Sequence, residues 1–230
     1  MRILAIDTSA VCASVAVTED GRIRAQSSTN AGLTHSRTLL PMIDALLKNS
    51  ETPLDSIDCF ACSVGPGSFT GIRIGIAAIK GLCDATGKKA LAVSTLEGLA
   101  RNLAGQNVLA CAVMDARCNQ VYTALFDVCG DRVTRLTEDD ALQIADLGEK
   151  LKGYTQKPIV FVGDGAEKCE KALGCPAAAP LVRFQNAASV ALAAEEHFDE
   201  SKLLDAQQLL PVYLRLPQAE RELRAKNARS

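Results

Sequence analysis

Two aspartates that close strand-like runs are the residues of this sequence best placed to do chemistry. Ile3-Leu4-Ala5-Ile6 ends at Asp7, followed by Thr8 and Ser9, and Val108 to Met114 ends at Asp115, followed by Ala116 and Arg117. A carboxylate at a strand end, with hydroxyls beside it, suits a hydrated divalent cation. The second copy lacks the hydroxyls, and Ala116-Arg117 brings a side chain and a positive charge there. The other candidate is the run Val64-Gly65-Pro66-Gly67-Ser68-Phe69-Thr70-Gly71-Ile72-Arg73. Glycines between a strand and a helix start suit phosphate, because free N–H groups and the helix dipole favour an anion there. The dinucleotide fingerprint, however, requires glycine where Thr70 stands. The phosphate-loop signature requires Gly-Lys-Ser/Thr where the chain has Gly71-Ile72-Arg73. The alternative is a tight turn whose glycines let the helix pack close to the sheet.

The thiols and imidazoles are less promising. Cys59-Phe60-Ala61-Cys62 has the C-x-x-C spacing, but the segment reads as a strand, where a spacing of three sends the side chains to opposite faces. No second pair completes a four-ligand zinc site. Cys12, Cys83 and Cys111 lie in apolar, patterned segments, where free cysteine packs as a small hydrophobe. His35 and His197 fall far apart on separate predicted helices and make no metal site. The 230 residues are 48% hydrophobic with a net charge of −2. That is enough for a large core, and too little positive charge for a protein that binds nucleic acid by itself. The opening apolar run stops at Asp7, short of a signal or membrane segment. A soluble, cytoplasmic chain without membrane association is expected.

The elements that must position these residues repeat. After Asp7 come the alternating run Cys12 to Val17, the turn Glu19-Asp20-Gly21 and Arg22-Ile23. After Asp115 come Val121 to Phe126, a turn at Gly130-Asp131 and Arg132-Val133. Both copies read strand, Asp, strand, glycine turn, strand. Helix and strand signals then alternate. Leu39, Leu40, Ile43, Leu46 and Leu47 stand at helical spacing, with Pro41 either in the first turns or bending the helix. A strand over Cys59–Val64 follows, then a helix from about Phe69 to Cys83, a strand at Leu91–Val93 and a helix through Leu96 to Leu103. In the second copy, Asp139-Asp140 caps a predicted helix from Ala141 to Leu151. A strand at Ile159–Val162 and a helix over Ala187–Phe198 complete it. The expected division is 1–104, 105–216 and a basic, flexible tail over 217–230.

Three strands followed by helix–strand alternation, twice over, is an α/β mixed-sheet pattern. It resembles the duplicated ribonuclease-H-like fold shared by actin, sugar kinases and the Hsp70 ATPase domain. In that superfamily the Asp closing the first strand of each half faces a nucleotide's phosphates and metal. The resemblance makes Asp7, Thr8 and Asp115 cofactor-binding candidates. Gly163 and Gly165 join them as an echo of the adenosine-side glycines, or else form a plain turn. Active relatives carry a glycine where Ala116-Arg117 stands, so relict carboxylates that serve the fold are the competing reading.

A closer resemblance rests on Ile3-Leu4-Ala5-Ile6-Asp7-Thr8-Ser9 together with Gly65 to Gly75. Val93-Ser94-Thr95-Leu96 and Pro211-Val212-Tyr213-Leu214-Arg215 extend it. These runs are similar to the bacterial TsaB (YeaZ) family. The resemblance implies a non-catalytic subunit that partners TsaD, with the small ATPase TsaE as third member, in transferring threonylcarbamoyl to the tRNA adenosine beside the anticodon. It further implies that nucleotide and metal sit on the partner subunits and that tRNA is met indirectly. TsaD carries two metal-binding histidines in a His-x-x-x-His segment; the matching positions here are Thr95 and Leu99, which are not nitrogen ligands. The family pairs through two helices, with TsaD or with a second copy. Those helices carry Leu39, Ile43, Leu46 and Leu47, and Ile72, Arg73, Ile76 and Ile79, as the expected interface. Two rival readings stay open: a small-molecule kinase or ATPase of the superfamily, and a glycopeptidase-like hydrolase, for which no nucleophile–base pair is visible.

Overall fold

A computed structural model describes residues 1–215; the basic stretch Gln218 to Ser230 lies outside the described residues. The first half runs β1 (Arg2–Asp7), β2 (Ala13–Glu19), β3 (Arg22–Thr29), α1 (His35–Asn49), β4 (Cys59–Gly65), α2 (Phe69–Thr86), β5 (Ala90–Ser94) and α3 (Thr95–Arg101). The second runs β6 (Gln106–Asp115), β7 (Gln120–Gly130), β8 (Arg132–Arg135), β9 (Asp140–Gln143), α4 (Ile144–Leu151), β10 (Ile159–Val162), α5 (Ala166–Leu173), α6 (Pro180–Arg183) and α7 (Ala187–Glu196).

The first sheet has the order β3-β2-β1-β4-β5, with β1 antiparallel to β2 and parallel to β4. The second has the order β10-β6-β7-β8, with β6 antiparallel to β7 and parallel to β10. Asp7 and Asp115 therefore end equivalent central strands of two ribonuclease-H-like halves. The strand β1 is apolar on both faces because both faces are covered. In front of the first sheet lie α1 and α2, whose Leu39, Ile43, Leu46, Ile72, Ile76 and Ile79 pack on Leu4, Ile6, Phe60 and Cys62. Behind it lies α7, reached from the second half, with Ala187, Val190, Ala191 and Ala194 against Ile3, Ala5, Ala61 and Val93. In return α3, from the first half, covers the second sheet, where Leu96, Leu99 and Ala100 meet Val108, Ala110, Ala112 and Phe126. The halves thus exchange helices and share cores. Gly98 of α3 permits the close crossing with α7, since a Cβ there would press on Val190.

Cys59 joins the rear cluster and Cys62 the front one, on opposite faces as the strand period requires. Burial pushes the Cys59 thiol up to about 11 and raises that of Cys62 further, so neither is a ready thiolate. All nine cysteines are free. The expected helix Ala141–Leu151 needs correction: Asp140–Gln143 pairs antiparallel with Gln120–Thr123 as β9, and the helix starts only at Ile144. Pairing to the free edge of β7 overrides local helix preference there. No helix among the described residues is long and apolar enough to cross a membrane.

Candidate functional site

Asp7 is buried at the end of β1 and both its oxygens are taken. Its Oδ1 accepts from the Ser9 N–H at 2.8 Å and the Ser9 hydroxyl at 2.6 Å, and its Oδ2 accepts from the Ser63 hydroxyl at 2.7 Å. Burial raises the Asp7 carboxyl above its ordinary range, while the Ser9 and Ser63 hydrogen bonds pull the other way. The residues that follow are held by the glycine-rich run. Thr8 donates its hydroxyl to the Gly71 carbonyl at 2.8 Å, and the Ser68 N–H donates to the Ser9 carbonyl at 2.7 Å. A Cβ at Gly71 would overlap the Thr8 carbonyl oxygen, one at Gly75 the Thr8 hydroxyl, and one at Gly67 the Ser9 carbonyl oxygen. Of the two readings of these glycines, close packing of helix on strand end is the one realised. Ser68 caps α2 by accepting the Gly71 N–H at 3.2 Å, and Gly87, at φ 70°, closes the helix.

Asp115 is built differently. It is exposed, and its Oδ1 accepts from the Arg117 N–H at 2.8 Å and from Lys168 Nζ at 3.2 Å. Its own N–H donates to Asp164 Oδ1 at 3.1 Å. Desolvation by neighbouring protein, then the nearby Asp115, push Asp164 up to about 6, although its side chain opens to the cleft. Gly163, at φ 119°, gives its N–H to the Arg183 carbonyl, and a Cβ there would overlap the Val113 carbonyl oxygen. The pair Gly163 and Gly165 packs backbone on backbone behind β6; neither cradles open space.

Between the halves lies a cleft of about 710 Å³ lined on one side by Ser9, Leu33, Ser68 and Phe69 and on the other by Asp115, Arg117 and Asp164. Of the cofactor candidates, Asp115 lines this cleft; Asp7, Thr8, Gly163 and Gly165 stand behind its walls. A nucleotide and its metal fit these residues poorly. The Asp7 oxygens are occupied by two hydroxyls and the Ser9 N–H, Asp115 is paired with Lys168, and a triphosphate would face Asp115 and Asp164. His35 sits at the start of α1 with Nε2 2.7 Å from the Ala10 carbonyl, while His197 pairs with Glu97 at 2.7 Å. Thr95 and Leu99 are both buried, Leu99 within the second half's core.

The expected interface residues divide. Leu39, Ile43, Leu46, Ile72, Ile76 and Ile79 are buried in the chain's own front core, so they are not available to a partner as expected from their pattern. The first sheet needs a helical layer, and the bulkier stripe of each helix supplies it. Leu47 is half-buried and Arg73 exposed. The outer face instead presents Leu40, 57% exposed, with half-buried Ile74, Ala78 and Leu82 and exposed Ala77 and Gly81. Sequence reasoning missed Ser63, whose signal was a lone hydroxyl in the apolar run Cys59–Gly65, and Lys168, for which no local signal exists.

A family model described as TsaD, tRNA N6-adenosine threonylcarbamoyltransferase, matches residues 28–223. The tRNA threonylcarbamoyladenosine biosynthesis protein TsaB of Bacillus subtilis is 31% identical over 96% of this chain and 96% of its own length. The solved structure of YeaZ from Pseudomonas aeruginosa shares 27% identity with a TM-score of 0.75, covering 93% of this chain and 99% of that one. Component A of the (R)-2-hydroxyglutaryl-CoA dehydratase of Acidaminococcus fermentans, at 14% identity, a TM-score of 0.52 and coverage of 85% and 98%, shares the fold alone.

Proposed function

Since the chain belongs to the TsaB (YeaZ) family, we propose that it is a non-catalytic subunit of the assembly that transfers threonylcarbamoyl to tRNA adenosine, holding a TsaD-type subunit in its working shape. The observation that carries this reading is the sealed Asp7, a buried carboxylate with Ser9 and Ser63 on its oxygens. A carboxylate spent on fold hydroxyls is poorly suited to hold a hydrated metal or position a water. Thr95 and Leu99, buried and without nitrogen, support the same reading. ATP or ADP and the metal then belong to the partner subunits, a small ATPase of the TsaE type acts as third member, and tRNA is met through them. The kinase and hydrolase readings gain no observation.

The partner face in this proposal is the outer side of α1 and α2. The exposed Leu40 of α1 and the small, exposed or half-exposed Ala77, Ala78 and Gly81 of α2 let another helix pair approach closely, and the exposed Arg73 lies one turn before Ala77. The same face serves a second copy of this chain when the partner is missing. The test is calorimetric titration of a TsaD-type subunit with wild type, Leu40→Glu and Ala78→Glu. Both variants should fold as wild type by circular dichroism yet bind at least about tenfold more weakly, because association buries an unpaired carboxylate. Unchanged affinity in both would remove this face from the reading.

A further inference from the structure

After α7 the chain leaves the back of the first sheet and crosses to the cleft. Leu204 exchanges both backbone hydrogen bonds with Ala90, at 2.8 and 2.9 Å. Leu209 is fully buried in the front core. The Val212 N–H donates to the Val64 carbonyl at 2.8 Å, and the Val212 carbonyl oxygen fills the place a Cβ would take on Gly65, which has φ 127°. Tyr213 stacks on Phe69 with ring centroids 4.4 Å apart, and its hydroxyl accepts from Arg73 Nε at 2.7 Å. Leu214 packs against the second half's core, and Arg215 donates from Nη1 to the Ala116 carbonyl at 2.8 Å. Four consecutive residues thus tie the end of β4 and the start of α2 to the turn between β6 and β7. Phe69 and Ala116 line opposite walls of the cleft.

We propose that the strap Leu204–Arg215 is a latch that fixes the closure of the two halves, with Arg73 as its handle on the exposed face of α2. The α3–α7 crossing joins the halves at one place, and the strap joins them at another, between the start of α2 and the β6–β7 turn, beside the contacts of Ala10 with the second half's core and of Met114 with Gly67. Bodies held at separated points keep one angle, and loss of one of those points loosens a hinge motion. Tyr213 links the strap to the start of α2 by ring stacking and one hydrogen bond, so whatever removes the Arg73 donor weakens the hold. Resting on the partner face proposed above, a protein seated on α2 reaches the cleft through this residue. The latch itself requires no partner.

Hydrogen exchange of the full chain tests the latch by reading each change in the opposite half. Tyr213→Ala and Arg73→Gln alter the first-half anchor and are read at Ala116–Gln120, where the Ala116 and Gln120 amides close the β6–β7 turn. Arg215→Ala alters the second-half anchor and is read at Ser68 and Ile72. Exchange should rise about tenfold for Tyr213→Ala and Arg215→Ala and a few-fold for Arg73→Gln, with β2 and β3 unchanged. Tyr213→Phe, which keeps the stack, should fall between wild type and Tyr213→Ala. If each substitution speeds exchange only beside itself, or everywhere alike, the latch is overturned. Because no TsaD-type subunit is present, that failure would leave the assembly reading standing, and failure of the calorimetric test would leave the latch standing.

Discussion

Asp7 and Asp115 end equivalent strands, and the two halves have put them to opposite uses. Asp7 is followed by Thr8-Ser9, which a glycine-rich helix start holds in place, and it is sealed under the hydroxyls of Ser9 and of Ser63 on β4. Asp115 is followed by Ala116-Arg117 and left at the cleft wall, balanced by Lys168. Both halves nonetheless use the same packing device. Gly71 admits the Thr8 carbonyl, and Gly163 admits the Val113 carbonyl, each at the end of the strand that carries the aspartate. A shared fold position therefore does not carry a shared chemistry. What decides is whether the following residues close over the carboxylate or leave it to solvent.

The glycine clamp around Thr8 is the feature least tolerant of change. Gly71→Ala forces a methyl group onto the backbone oxygen of Thr8, which has no flexible side chain to yield. Overpacking against backbone should cost about 3 kcal/mol or more in urea unfolding. Gly81 sits on the same helix with nothing near its missing Cβ, so Gly81→Ala should instead gain about 0.5–1 kcal/mol. Equal stability of the two variants would mean that the clamp does not hold Asp7 in place.

A milder probe removes the two carboxylates in turn. Asp7→Ala leaves the Ser9 and Ser63 hydroxyls buried without their acceptor and opens a small void, for a loss of about 2–3 kcal/mol. Asp115→Ala breaks exposed bonds to Lys168 and the Arg117 N–H but relieves its repulsion of Asp164, and should stay within about 0.5 kcal/mol of wild type. Similar losses at both positions in thermal or urea unfolding would erase the difference between the halves.

The duplicated strand order was legible because β1 and β6 carry apolar runs ended by Asp, and β2 and β7 carry alternating or mostly apolar runs ended by glycine turns. The fold followed from that order alone. The glycine-rich run was legible as a strand-to-helix turn, but its competing uses differ only in what lies opposite, which is the Thr8 and Ser9 backbone far away in sequence. The direction of α2 was not legible. Periodicity groups Ile72, Ile76 and Ile79 on one stripe and Ile74, Ala78 and Leu82 on another, but says nothing of which faces the sheet. The bulkier stripe went inward. The helix exchange was equally hidden, since α3 and α7 are apolar on more than one side and suit either sheet. Lys168 reaches Asp115 only through the placement of α5, which no local pattern announces.

The smallest effect concerns Asp164, which shares the cleft wall with Asp115. Its carboxyl is pushed from the ordinary 3.8 to about 6 by desolvation first and by the Asp115 charge, against the pull of the hydrogen bond from the Asp115 N–H. A carboxyl whose folded value lies above its unfolded value favours the protonated form in the folded state. Its ionisation therefore removes stability as pH rises from about 4 to about 6, and the loss stays constant above that. Water reaches this exposed side chain, so only part of the shift becomes stability, about 0.5–1 kcal/mol. Asp164→Asn keeps a carbonyl oxygen for the Asp115 N–H and deletes the charge. It should match wild type in urea unfolding at pH 4 and exceed it by that margin at pH 7.5. Asp7 cannot mimic the effect, because it is unchanged between the two proteins. A variant with the same advantage at both pH values would show that the gain lies in packing and that the acidic wall of the cleft carries no strain. A gain confined to the higher pH would place the electrostatic cost of the open site on the pair Asp115 and Asp164, where the sealed site of the first half has only one carboxylate.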